Sequence, residues 1–377
     1  MGKKTPRRKK QVGIGIIGTG LMGSVHAECY VREEGYRIIG YFDLDTGKAQ
    51  ALAERFGGQV YDSLDALLAD ERIDAVNIST PQAAHAEQVI AAAKAGKHIF
   101  CEKPVGLTAK ELDAMQKAVA SAGVTFMTGH VLRFHPVISA VRANLPELGP
   151  CYHMDLEWSL LIHEHTGRCW ESYRLGGFFM EIGCHLTDLA GYLLGPVEDL
   201  TGYTLRLNPK RITEDYTNCM LQFASGAVGS ILVSANYRRG RQGLLHGRVL
   251  GEKGRIDFTL YPYKRAFNEV TLTIDHGKKI FVPDITVKDI PIEPRPSLTK
   301  VYLGYFDAYQ REAAAFLKAV QTGAAPPCTF ADGRNSIEMI LAAYHEQGLA
   351  TRRRNFVNRP KPYRSDADCH PLLKRTS

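Results

Sequence analysis

No stretch of this 377-residue chain approaches the roughly 18 to 20 consecutive apolar residues that a membrane-spanning helix needs, so a membrane-embedded protein is not expected. Paired cysteines are missing too. Cys29, Cys101, Cys151, Cys169, Cys184, Cys219, Cys328 and Cys369 lie far apart with no Cys-x-x-Cys spacing, which in a chain this long predicts reduced thiols and a cytoplasmic location. Basic charge is missing where a nucleic acid would need it. The net charge is +7, but residues 1–10 and residues 352–377 carry +6 each and leave a body of −5. Segregated basic ends read as solvated tails, and an acidic body offers no continuous track for phosphates, so DNA and RNA are excluded as partners. Met1 to Lys10 is followed by neither an apolar core segment nor a small-residue cleavage site, so no export signal is expected. No internal repeat is visible.

What is present is an ordinary globular composition, 45% hydrophobic and 23% charged, at about two and a half times the usual domain length. Two domains are expected. Val12–Ile17, Tyr36–Phe42, Ala75–Ser79, His98–Cys101 and Val124–Met127 read as strands. Between them, 21–31, 48–56, 64–68, 84–95 and 109–122 carry helical periodicity. Alternating strand and helix predicts a doubly wound α/β domain over 11–128, its parallel sheet covered on both faces. From residue 129 the rhythm changes. Strand-like runs at 217–223, 227–235, 247–250 and 270–274, one helix around 183–194 and two more at 305–321 and 332–347 predict an α+β domain over 129–350 on a large, mostly antiparallel sheet. Residues 1–10 and 351–377 are basic tails, the latter broken by Pro360, Pro362 and Pro371.

Gly18-Thr19-Gly20-Leu21-Met22-Gly23 follows the first strand and opens the first helix. In that context the first glycine allows the tight turn and the second lets backbone approach a pyrophosphate. The third lets helix pack on strand, and the helix N-terminus offers amide donors. Asp43 ends the second strand, where a carboxylate accepts hydrogen bonds from an adenosine ribose and repels a 2′-phosphate, so NAD is expected over NADP. Lys48 could still be recruited to such a phosphate. Thr80-Pro81 and Glu102-Lys103-Pro104 stand at later strand ends, where ligands of open parallel sheets bind. Pro104 biases Lys103 toward an extended backbone that aims its side chain into the crevice.

With Glu102-Lys103-Pro104 added to these motifs, the chain resembles the Gfo/Idh/MocA family of sugar and inositol dehydrogenases over about residues 11–350. The glycine loop resembles its nucleotide loop, and Ser79-Thr80-Pro81 with His85 its nicotinamide-side segment. Arg133-Phe134-x-Pro136 resembles the entry to the second domain. The run from Gly176-Gly177 through Glu181 to His185 and Asp188 resembles its glycine-pair, carboxylate and histidine motif. Phe223-Ala224-Ser225-Gly226-Ala227 and Leu250-Gly251-Glu252-Lys253-Gly254 are similar to its hairpins. The resemblance implies hydride transfer between NAD(P) and a secondary alcohol of a sugar, glycoside or inositol. It places Gly18, Gly20, Leu21, Met22, Gly23, Asp43, Thr80, Pro81, His85, Glu102 and Lys103 at the cofactor, and Lys103, Glu181 and His185 at the reacting hydroxyl. It also points to homodimers or homotetramers. The chemistry agrees, since oxidising an alcohol needs a base within about 2.6–3.2 Å of the O–H, which a neutral imidazole can be, and a cation to steady the alkoxide. The family usually has Asp where this chain has Glu181, one methylene longer and four residues before His185.

Further substrate contacts are expected from Arg133, His163, His165, Trp170 and Tyr173. His163-Glu164-His165 with His130, His153, Glu181 and His185 could supply metal ligands, but no closed four-ligand pattern is visible and no metal is expected. Two other functions remain open at this point. One is oxidation by a tightly bound NAD that assists glycoside cleavage or elimination; the other is a nucleotide-binding sensor without turnover.

Overall fold

The computed structural model describes residues 11–160, 177–236, 245–260, 269–274, 277–281 and 306–345. The first half is built as β1 (Val12–Ile17), α1 (Leu21–Arg32), β2 (Tyr36–Phe42), α2 (Thr46–Phe56), β3 (Gln59–Val60), α3 (Leu64–Ala69), β4 (Ala75–Ile78), α4 (His85–Lys94), β5 (His98–Glu102), α5 (Ala109–Ala122) and β6 (Phe126–Gly129). Its six strands run parallel in the order β3-β2-β1-β4-β5-β6. All six residues of β1 are buried, as a central strand covered by helices on both faces must be. The helices start and stop on local chemistry. Thr108 and Glu111 form a reciprocal capping box on α5, and Gly123 closes it in the left-handed region at φ +65°. The two-residue β3, with one exposed position, carries too little apolar pattern to be read from sequence.

The second sheet has eight strands, ordered β14-β13-β12-β11-β7-β10-β9-β8. They are β7 (Cys151–Ser159), β8 (Val197–Leu205), β9 (Tyr216–Phe223), β10 (Val228–Ser234), β11 (Leu245–Gly251), β12 (Gly254–Leu260), β13 (Glu269–Ile274) and β14 (Gly277–Phe281). Every pair is antiparallel except β7 with β10. One face of this sheet packs on α6 (Pro136–Asn144), α7 (Cys184–Leu194) and the helix Phe330–His345. The opposite face presents Tyr203, Met220 and Val228 to solvent. A π-helical turn, Phe179–Gly183, leads into α7. The helix Phe306–Thr322 turns back onto the first domain and packs on α1. There the Tyr36 hydroxyl donates to Ala313 O at 2.9 Å and Phe316 meets Phe100 with ring centroids 5.8 Å apart. Among the described residues no helix is long and apolar enough to cross a membrane. The tails 1–10 and 351–377 lie outside the described residues.

Candidate active site

The strand order reverses between β1 and β4, and the glycine loop, Asp43, Thr80 and Lys103 all lie at carboxyl ends around that point. Gly18 has φ +87°, and a Cβ there would come within 2.7 Å of the Ser79–Thr80 backbone. At Gly23 a Cβ would meet Gly18 O at 2.1 Å, so helix and loop touch directly. A Cβ on Gly20 would have nothing within 4 Å: the second glycine faces open space. Gly20 is also the N-cap of α1 with no side-chain hydrogen bond, and no acidic residue stands in the first turn. Uncapped amides at a helix N-terminus beside an open glycine face fit a pyrophosphate, which Gly18, Gly20, Leu21, Met22 and Gly23 would hold. Asp43 is anchored to this loop. Its Oδ2 accepts from Thr19 N at 2.6 Å and from the Thr19 hydroxyl at 2.9 Å, and its Oδ1 from Asp45 N at 2.9 Å.

His85 lies between the two turns that flank the crevice. Its Nδ1 is 2.9 Å from Pro104 O and its Nε2 2.9 Å from Thr80 O. Burial lowers its pKa, so the ring is neutral and donates to one carbonyl at a time. It therefore braces Thr80-Pro81 against Lys103-Pro104 from behind. Glu102 is tied to α1: its carboxylate is 2.8 Å from His26 Nε2 and accepts from Lys103 N at 3.1 Å. Burial would raise the Glu102 pKa, but the hydrogen bond and charge of His26, with the Lys103 ammonium, outweigh it and hold the group ionised.

Lys103 reaches across from β5 to the second domain. Its Nζ donates to a Glu181 carboxylate oxygen at 2.8 Å and to Glu181 O at 3.0 Å. Burial by itself would lower the ammonium's pKa, yet Glu181, helped by Glu102, overrides it and holds Lys103 above the ordinary lysine range. The other Glu181 carboxylate oxygen receives Gln82 Nε2 at 3.3 Å. His185 opens the next turn. Its ring lies 5.4 Å from Trp158 and 6.3 Å from His130, and its Nδ1 is buried with no hydrogen-bond partner among the described residues. Burial first, then the Lys103 charge and His130, push the His185 pKa well below the usual histidine value. The imidazole is neutral at pH 7. A fixed cation and a neutral base thus share one crevice, the pairing that deprotonation of an alcohol requires.

Models of an oxidoreductase family match most of this chain, its NAD-binding Rossmann fold over residues 12–130 and its C-terminal alpha/beta domain over residues 167–348. This chain belongs to the Gfo/Idh/MocA oxidoreductases. Inositol 2-dehydrogenase of Rhizobium meliloti strain 1021 is 30% identical, over 88% of this chain and 96% of that one. Levoglucosan dehydrogenase of Pseudarthrobacter phenanthrenivorans is 26% identical over 86% of this chain and 93% of the relative. Among solved structures, an oxidoreductase of Agrobacterium radiobacter in complex with NAD+, L-tartaric acid and magnesium superposes with a TM-score of 0.82 at 21% identity, over 92% of this chain and 99% of that one.

Within this Gfo/Idh/MocA frame the structure gathers Lys103, Glu181 and His185 and keeps the glycine loop, Asp43, Thr80, Pro81, His85 and Glu102 around the strand ends. Arg133 stands apart from them. Its guanidinium forks onto Asp188 at 2.7–3.1 Å, donates to Pro327 O at 2.9 Å and lies 3.1 Å from Asp332. Contacts with these three partners explain Arg133 as a buried tie between α7 and the chain entering the Phe330–His345 helix. His163, His165, Trp170 and Tyr173 lie outside the described residues. No cluster of three or more His, Cys, Asp or Glu suited to a metal occurs among the described residues. Sequence reasoning missed Gln82, His26 and Glu214. Gln82 follows Thr80-Pro81 directly, a signal available from the motif; Glu214 lay 33 residues beyond Glu181 with no signal at all.

Proposed function

We propose that this oxidoreductase removes hydride from a secondary hydroxyl of a sugar, glycoside or inositol, with His185 as base and Lys103 as the cation beside the oxygen. The observation that carries the reading is the convergence of Lys103, held charged by Glu181, with a buried neutral His185. NAD, when bound, supplies the hydride acceptor. The glycine loop binds the pyrophosphate, and Asp43 meets the adenosine ribose and disfavours NADP. The Glu102–His26 pair holds β5 to α1, which keeps Lys103 in register with the loop. His185 Nε2 takes the hydroxyl proton while Lys103 Nζ stabilises the oxygen. Glu181 and Gln82 orient Lys103 and the polyol's neighbouring hydroxyls. Relatives named for inositol and levoglucosan support a cyclic polyol or anhydrosugar as substrate. Six unbonded cysteines among the described residues support a reducing, cytoplasmic setting. The bare face of the eight-stranded sheet supports a homo-oligomer built through that face.

The test is a panel of inositols, aldoses and glycosides followed at the NADH absorbance band, with NAD and NADP in parallel. On a substrate so found, Lys103→Ala and His185→Ala should each lower kcat by roughly 10² to 10⁴ while leaving NAD affinity nearly unchanged. Full turnover in either variant removes that residue from the mechanism. NAD binding without turnover of any member of the panel favours the sensor instead.

A further inference from the structure

We propose that Glu214 is a positioning residue of this site: it grips the turn that carries Glu181 and so sets the reach of Glu181 to Lys103. The catalytic consequence rests on the function proposed above; the geometry does not.

Glu214 itself is fully buried, and the backbone beside it is pinned from both sides. Asp215 N donates to Leu205 O at 3.0 Å and Ala235 N donates to Asp215 O at 2.8 Å, which ties the residue to β8 and to the end of β10. The Asp215 carboxylate adds bonds from Leu207 N at 2.7 Å and Asn208 N at 2.8 Å. From this fixed base the Glu214 side chain meets three residues just ahead of Glu181. Phe179 N donates to Glu214 Oε1 at 2.8 Å. The Tyr344 hydroxyl donates to the same oxygen at 2.6 Å and accepts from Met180 N at 3.3 Å. Gly177 sits at φ +87° with the carboxylate so near that a Cβ would lie 2.6 Å from Oε2 and 2.7 Å from Oε1. Residues 177, 179 and 180 are therefore moulded on one carboxylate and its tyrosine.

The next residue is Glu181, whose backbone oxygen and carboxylate both hold Lys103 Nζ. It lies inside the π-helical turn Phe179–Gly183, a wide, poorly self-supporting turn of the kind found at functional sites. Phe179 locks the turn internally, since a Cβ on Gly183 would lie 2.1 Å from its ring. What fixes the turn externally is Glu214. A fully buried acid is an expensive way to fill a core, and burial pushes this carboxyl up to about 7 although Tyr344 and Phe179 N–H pull it down. A carboxylate at the amides that open a helix has a positioning use that an apolar side chain lacks.

The experiment uses the full chain carrying Glu214→Gln, Glu181→Gln or both, with Tyr344→Phe as a milder variant. The first readout is acylation of Lys103 by acetic anhydride, followed by mass spectrometry. Lys103 is 14% exposed and shielded by its ion pair. Lys97, held by the carbonyls of Asp70 and Ile73, serves as bystander. Glu214→Gln should raise Lys103 labelling several-fold without changing Lys97, and should raise it no further once Glu181 is already Gln. The second readout is kinetic: kcat should fall roughly 10- to 100-fold, the cost of a misplacement near 1 Å, with NAD affinity within about twofold. That kinetic loss should be largely absent in the Glu181→Gln background. Unchanged Lys103 labelling in folded Glu214→Gln overturns the proposal, as does an equal loss of kcat in both backgrounds. If Glu214→Gln does not fold, Tyr344→Phe decides the same question, with Phe179 N–H still on the carboxylate. A wild type that oxidises no polyol sinks the dehydrogenase reading and leaves the labelling to decide this one.

Discussion

Asp43 Oδ2 receives two hydrogen bonds from Thr19, so the residue expected to meet a ribose also holds the glycine loop in shape. Replacing it acts twice. Asp43→Ser removes the carboxylate's hydrogen bonds, worth about 1.5–3 kcal/mol to a charged partner, so NAD should bind roughly 10- to 100-fold more weakly. NADP should lose less, because the charge that repels its 2′-phosphate goes at the same time. Calorimetry of both nucleotides on both proteins checks this, and equal affinities in the wild type would remove Asp43 as the discriminator. The position of Asp43 was legible, because a carboxylate is expected just after the second strand of such a sheet. The bond to Thr19 was not, since nothing in a linear pattern tells which of two polar neighbours an oxygen will choose. His85 shows the same limit: its motif marked it as a site residue, while only the folded chain shows it bracing two turns from behind.

Helices and strands announced themselves wherever the apolar period was unbroken. α5 was expected at 109–122 and occupies Ala109–Ala122, bounded by a capping box and a left-handed glycine. β7, β8, β12 and β14 were not singled out within a stretch read only as strand-rich, although β7 alternates Asp155 and Glu157 with Met154 and Leu156, the period-2 pattern of a sheet buried on one face. The π-turn before α7 escaped because a single extra residue in one turn leaves no periodic trace. α6 offers a test at this scale. His135 is its N-cap, accepting from Val137 N at 3.2 Å, and burial pushes its pKa down to about 3, aided by Arg311. Above pH ~6.5 the ring is neutral folded and unfolded; below it the unfolded chain takes up a proton that the folded one refuses until about pH 3. Stability is therefore lost as pH falls through that window. His135→Asn keeps a capping acceptor and should flatten the decline by up to about 1.4 kcal/mol per pH unit. Urea titrations from pH 7 to pH 4 measure it; an unchanged slope would exclude His135 as a source of acid sensitivity.

On the scale of the whole molecule, the eight-stranded sheet has helices on one side and side chains in water on the other. Tyr203, Met220 and Val228 share that outer face through the β8–β9–β10 register, at 62%, 56% and 43% exposure. If a second copy covers them, Met220→Asp should halve or quarter the particle mass in light scattering while kcat stays within about twofold, since the site lies on the opposite side of the sheet. A wild type that is monomeric at micromolar concentration refutes the oligomer. The helix Phe306–Thr322 has a different consequence, one of time. It covers α1 and Phe100 in a domain whose own strands are finished by Gly129, so the ribosome must add about 190 more residues, through Thr322, before the covering helix exists. At roughly 5 to 20 residues per second that delay is on the order of 10 to 40 seconds. Through that interval the nascent nucleotide domain carries an open apolar flank, and the last helices to be made are what close it.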